Sequence, residues 1–247
     1  MTLPATVAPT ELEEILTSRY VGQYFEARLI NLPAFTYDPA TVGSDVTLLT
    51  GEVAIGTGGY ARDVIYYEAS DIGSYADGGV AFVQKGTTFA HDGGATALEF
   101  SHIALVWSTG NVTALGSVTT APVSATTTTA AYTNVPVDST SGSGVGLTVD
   151  LEVTNAGAAT TDYVLTLNKA GYGYAASDTV TISNGTLAGL DPSVGSGDLV
   201  FSASTVHTPT GATAGDLFAT RKTSSPVTLT NGNEAAFYWN LKQYGIN

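Results

Sequence analysis

The chain predicts an all-β protein: an antiparallel β-sandwich with a short N-terminal helix and a second, small β module inserted in a loop. Three observations lead there. Apolar residues recur with a period of two through most of the length, as where Phe25, Ala27 and Leu29 alternate with Tyr24, Glu26, Arg28 and Ile30. The alternating runs are short and punctuated by turn residues, as in "GTGG" (56–59), "ADGG" (76–79) and "HDGG" (91–94). Charged residues make up only 12% of the 247 residues, about half the usual share, while Thr, Ala, Gly and Ser are abundant.

Taken in order, the N-terminus offers the one helix. In "PTELEEILTSRY" Thr10 caps it and Glu13 completes a capping box. Glu11, Glu13 and Glu14 complement the helix dipole, and Leu12, Ile15 and Leu16 form an apolar stripe ending near Arg19 or Tyr20. Strands are then expected at 23–30, 45–49 ("DVTLL"), 60–68, 79–85, 95–100 and 102–108. The stretch 119–146, with two prolines, a Thr tract and a Ser/Gly cluster, reads as a linker and entry loop. Strands resume at 147–155, 162–170, 178–183 and 197–204. A second turn-rich stretch (207–215) leads to "DLFATR", "PVTLT" and "EAAFYWNLKQY" (234–244), whose aromatic content predicts a structurally central strand. Two turn-rich boundaries predict a discontinuous β domain (1–118 and 207–247) carrying an inserted, projecting β module (119–206).

Composition also limits function. The net charge is −14, and the eight cations (Arg19, Arg28, Arg62, Lys85, Lys169, Arg221, Lys222, Lys242) are scattered, with only Arg221–Lys222 adjacent. Phosphate backbones need clustered cations, so nucleic acid is not an expected partner. The acidic balance likewise argues against anionic membranes. No cysteine is present, so thiolate chemistry and Cys-held zinc are out. No apolar run reaches the about 18 residues of a membrane span. "MTLPATVAPTELEE" lacks a basic region followed by an apolar core, so synthesis in the cytoplasm is expected.

The chemistry-bearing residues are few. His91, His102 and His207 lie in separate segments without a metal-ligand partner at i+3 or i+4. "GTGGY" (56–60) lacks nucleotide-loop spacing and is a glycine turn before a strand. No nucleophile elbow, P-loop or HExxH is present. A Ser–His–Asp set assembled only in three dimensions would not show in the sequence. Asp178, Asp191 and Asp198, with Asn184 nearby, offer oxygens to Ca²⁺, but their spacing is looser than an EF-hand and Asp is common in turns for backbone reasons. In "KAGYGYAASDTVTIS" (169–183), Tyr172 and Tyr174 either form a sugar-stacking platform or brace the turn that leads to Asp178. No enzyme activity and no cofactor are expected.

Two resemblances give these segments a context. "GTGGYARDVIYYE" (56–68), followed by "EFSHIALVWSTGN" (99–111), resembles a family of tailed-bacteriophage structural proteins with a "GYAR" strand and a later "HFALFD"-like strand. Gly59, Tyr60, Ala61 and Arg62 match the first signature, and His102, Ile103, Ala104 and Leu105 the second; Trp107 and Trp239 fall in the matching strands. The terminal segment 215–241 is similar to the family's closing strands. The family's "LHTADP"-type segment is replaced by "ARLINLPAFTYDP". The inserted part is similar to a β module of cyanophage structural proteins, usually "GSGYxxGDxxTI", with Ala175–Ala176–Ser177 here in place of the residues before Asp178.

The resemblances imply a virion exterior protein, a capsid decoration, head-fibre or tail-associated part. It would contact other virion proteins and copies of itself, with the N-terminal tail as a tether to a neighbouring subunit. A carbohydrate-binding module for host attachment, using Tyr172 and Tyr174, is the alternative.

Overall fold

The computed structural model describes residues 17–74, 80–82, 85–123, 129–154, 162–191, 196–239 and 242–243. The chain divides into a first unit, Met1–Ser108 with Pro209–Asn247, and a second, Thr109–Thr208. It is mostly β, and all its strand pairs are antiparallel among the described residues. No helix of the described residues is long and apolar enough to cross a membrane. Residues 17–20 are helical, in keeping with the end of the expected N-terminal helix; its cap at Thr10 and Glu13 lies outside the described residues.

The first unit is organised by β1 (Tyr24–Ile30), β2 (Asp63–Tyr66), β6 (Leu98–Trp107) and β14 (Leu217–Leu229), a sheet in the order β14–β6–β1–β2. β6 is buried throughout except at Glu99 because both faces of the sheet are covered. On one face Phe25, Ala27, Leu29, Ile103, Leu105 and Trp107 join a core completed by Phe89 of β5 (Lys85–Ala90) and Trp239 of β15 (Glu234–Trp239). On the other, Ile30, Ala104 and Val106 meet Leu48 of α1 (Ser44–Leu49), with Leu32, Phe35 and Leu49 alongside. β3 (Ile72–Ser74), β4 (Val80–Phe82) and β16 (Lys242–Gln243) form a further three-stranded sheet, in the order β16–β4–β3.

Three expectations change here. "DVTLL" is a helical turn, not a strand: a five-residue stretch with three apolar residues does not distinguish the two, and Gly43 at φ 78 starts a helix that turns Leu48 onto the sheet. The runs 95–100 and 102–108 belong to one strand. Leu98 and Phe100 share the core with Ile103, Leu105 and Trp107, a change of parity that reads as a break in the pattern. The aromatic C-terminal segment is not central, since β15 pairs with β5 alone in a two-stranded sheet. Its alternation holds: Ala235, Phe237 and Trp239 pack inward while Tyr238 is 56% exposed; Asn240 and Leu241 lie outside the described residues.

The second unit is a sandwich. One sheet runs β11–β10–β8 (Tyr163–Tyr172, Val145–Val153, Ala130–Pro136); the other runs β7–β13–β12–β9 (Asn111–Leu115, Leu199–His207, Thr179–Ile182, Ser139–Thr140). Alternate residues of both sheets fill the core, with Val149, Leu151 and Val153 of β10 packed in one cluster with Val180, Ile182, Leu199 and Phe201 of β12 and β13. A short helix, α2 (Asn184–Leu190), adds Leu187 to this core. The stretch expected as a linker, 119–146, holds β8, β9 and the start of β10. The second unit also begins at Thr109 rather than residue 119, because β7 pairs with β13 of the same unit.

Candidate functional site

The most concentrated polar chemistry surrounds the "GYAR" segment. Gly58 and Gly59 have φ of +55° and +80°, and a Cβ on Gly59 would sit 2.7 Å from Cβ of Asp92. This tight turn delivers Tyr60 into the core and Arg62 onto the face of β1 that carries Glu26 and Arg28. Arg62 grips Glu52 with two bonds, Nε to Oε1 at 2.6 Å and Nη2 to Oε2 at 2.8 Å. Its Nη1 reaches Glu26 Oε2 at 3.0 Å. Arg28 donates to the same Glu26 oxygen, 2.7 Å from Nη2 and 3.1 Å from Nε, and lies 3.4 Å from Glu52. The Tyr60 hydroxyl donates to Glu52 Oε1 (3.1 Å) and accepts from the Leu29 amide (3.1 Å), while Ser108 donates to Glu26 Oε1 at 3.1 Å. Burial, then the Glu52 charge, raises the Tyr60 pKa well above its ordinary range. Ala61, between them, is exposed.

Two arginines balance two glutamates here, and every carboxylate oxygen has at least one donor. Buried charges persist only when paired and hydrogen-bonded in this way. The arrangement ties β1, the strand beside it and the Glu52 segment together, and its carboxylates are engaged as acceptors. The sequence pointed to Tyr60 and Arg62 through the motif but not to Glu26, Arg28 and Glu52. Glu26 and Arg28 on the second face of an otherwise apolar strand were the available signal, since charges on a covered face demand opposite charges.

The histidines are structural. His91 donates from Nε2 to the Thr96 carbonyl (2.8 Å) and accepts the Gly93 amide at Nδ1 (2.9 Å). His102 is buried, with Nδ1 3.0 Å from Ser101 Oγ; burial, then the Lys222 charge, lowers its pKa. Burial also lowers that of His207. Trp107 and Trp239 are core residues.

The glycine–tyrosine stretch of the second unit proves to be a sealed turn. Tyr172 and Tyr174 are 7% and 5% exposed, so they do not form the surface platform considered for glycan contact. Gly171 and Gly173 at φ +58° and +76° break the strand geometry that would have set both rings on one face. The Tyr174 ring fills a box: a Cβ on Gly171 would lie 2.9 Å from it, and one on Gly144 would overlap it. Gly173 and Tyr174 donate their amides to the carbonyls of Thr109 and Gly110 (3.0 Å each), and Asn111 Nδ2 donates to the Gly171 carbonyl at 2.6 Å.

Asp178, Asp191 and Asp198 are not gathered into a metal site; among the described residues no three His, Asp or Glu side chains are grouped to hold one. The acids hold neighbouring backbone amides and a tyrosine hydroxyl instead. Asp178 accepts the Ala175 amide (2.8 Å) and Asp198 the Asn184 amide (2.9 Å), while Asp191 accepts from the Tyr132 hydroxyl (3.4 Å). Asp138, which sequence reasoning passed over, does the same at the start of α2. It accepts the Ser183 amide (2.6 Å) and the Thr186 hydroxyl (2.7 Å), hydrogen bonds that lower its pKa against the opposing effect of burial.

Comparison of the chain with protein-family models, with curated proteins and with solved structures finds no match.

Proposed function

We propose that this chain is a non-enzymatic structural protein of a tailed-phage particle. In this reading it sits on the particle exterior as a decoration, head-fibre or tail-associated part. The first unit docks to other virion proteins and to copies of itself, and the second is displayed. The observation that carries the reading is the use of the "GYAR" residues. Tyr60 and Arg62 close the Glu26–Glu52 clamp, which gives that motif a fold-defining role of the kind a family of structural proteins would keep. The inserted unit supports it: its Asp and Gly residues hold turns and a helix start. A carbohydrate-binding module built on Tyr172 and Tyr174 is not favoured, because both rings are buried.

The test is to purify tailed-phage particles whose genome encodes the chain and measure its copies per particle by quantitative mass spectrometry. A fixed copy number, retained through gradient purification and accompanied by antibody labelling on the particle surface, is the expected result. A chain found in infected cells but missing from purified particles overturns the proposal. Light scattering of the isolated protein then separates a preassembled ring or fibre from a monomer that orders only on the particle.

A further inference from the structure

We infer that the cleft between β14 and β15 of the first unit binds a short saccharide bearing a carboxylate, an inference that stands apart from the particle reading. The cleft is open to solvent, has a volume of about 760 Å³ and is lined by Arg221, Thr223, Ser224, Ser225, Phe237 and Tyr238, among others. That is the size of many small-ligand sites, which run to about 300–1,000 Å³.

Three groups on its walls suit such a ligand. The first is Arg221, which is exposed and has no ion pair among the described residues. The other arginines are occupied, Arg28 and Arg62 in the clamp and Arg19 over the ring of Tyr20. Its neighbour Lys222 is turned to the Phe35 carbonyl, 2.8 Å away. An exposed guanidinium without an ion pair among the described residues is available to an anion, and its planar fork matches a carboxylate.

The second is Tyr238, 56% exposed although it lies in a strand. Its ring rests on Gly86 of the paired strand, where a Cβ would come within 3.0 Å. Glycine at that position leaves room for the ring, and an exposed aromatic ring offers a flat apolar surface of the kind sugar C–H groups stack on. The third is a bulge in β14, which advances five residues, from Lys222 to Val227, while β6 moves two, from His102 to Phe100. Thr223 is anchored there to the Ser101 carbonyl at 2.8 Å. Ser224 and Ser225 are exposed, and neither hydroxyl bonds another described residue.

An acidic polypeptide would use Arg221 but has no call on a flat ring beside two free hydroxyls. The chain's overall charge opposes every anion at long range, so the ligand is held by close contacts and is short.

The experiment titrates the full-length protein with trigalacturonate, 3′-sialyllactose, galactotriose and hexaglutamate by calorimetry and NMR. Binding of at least one of the two acidic saccharides is expected, about tenfold or more tighter than galactotriose. Arg221→Gln and Tyr238→Ala should each weaken it about tenfold or more, and Tyr238→Phe should retain it. Circular dichroism confirms that each variant is folded; Arg221 is exposed on an edge strand, so its replacement serves even if Tyr238→Ala does not fold. No binding of either acidic saccharide overturns the inference, and so does binding that both variants leave unchanged. Hexaglutamate binding as tightly, dependent on Arg221 but not on Tyr238, also overturns it and assigns the cleft to an acidic polypeptide.

Discussion

The two units anchor a buried tyrosine in different ways. In the first, Tyr60 is held by charge: its hydroxyl joins a set of two arginines and two glutamates, and all the ion pairs among the described residues lie in this unit. In the second, Tyr174 is held by shape, its ring boxed by glycines and its backbone bonded to Gly110. Each solution has its own point of failure. A charge clamp fails when one partner is removed and the rest are left buried and uncompensated. A glycine box fails when a single methyl group is added.

The largest effect is expected at the clamp. Arg62→Met leaves Glu26 and Glu52 with Arg28 as their one cation, 3.4 Å from Glu52; removing one partner of a fully buried pair costs about 3–5 kcal/mol. Side-chain exposures of 21% for Arg62 and 15% for Glu52 lower the expectation to about 2–4 kcal/mol after screening. Urea denaturation of the variant measures it. A change below about 1 kcal/mol would class the clamp with ordinary surface ion pairs and remove the contrast between the two units.

The box gives the next effect and supplies its own control. Gly171 and Gly146 both have positive φ, +58° and +75°. A Cβ on Gly171 would lie 2.5 Å from the Val145 carbonyl and 2.7 Å from the Leu147 amide, whereas at Gly146 nothing is nearer than 3.9 Å. Alanine at Gly146 should therefore cost only the left-handed backbone penalty, about 1–2 kcal/mol. At Gly171 the same penalty is joined by displacement of backbone, about 1 kcal/mol more, the low end of what overpacking costs because a single methyl group is added. Equal losses at the two sites would mean that close packing around Gly171 is not what requires glycine there.

How much of this was legible in the sequence follows from the range of the forces involved. Period-two alternation is local, so β1, β10, β11, β12 and β13 were found close to their observed limits. α1 was missed because whether "DVTLL" turns or extends is decided by the sheet face that Leu48 covers, a tertiary fact. β8 was missed because its inward residues are few, Val135 alone being fully buried; the Thr tract that precedes it and its own Asn and Pro read as a loop. At the candidate sites, Tyr60 and Arg62 were visible through a motif, but Glu52 is brought to them from a segment without periodicity. Arg221 was not distinguished from the other scattered cations, and the open ring of Tyr238 depends on Gly86 in another strand. For Tyr172 and Tyr174 the sequence allows either a surface platform or a brace for the turn; burial of both rings gives the brace, because the glycines admit the Tyr174 ring.

Acidification should produce the smallest effect, and it tests both units at once because each holds a histidine with a lowered pKa. Burial, then the Lys222 charge, lowers His102 in the first unit, and burial lowers His207 in the second. The unfolded chain then binds more protons than the folded one as pH falls through the ordinary histidine value of 6.5. The stabilisation is fully present above that pH and is lost as pH drops toward the lowered folded-state values. Urea midpoints should therefore decline between about pH 7 and pH 5, before most carboxylates titrate. His102→Gln and His207→Gln should each flatten part of the decline. Lys222→Met should make the His102 contribution shallower, since it removes the charge that opposes protonation. If the midpoint is flat or rises on acidification, burial holds a histidine neutral in neither region.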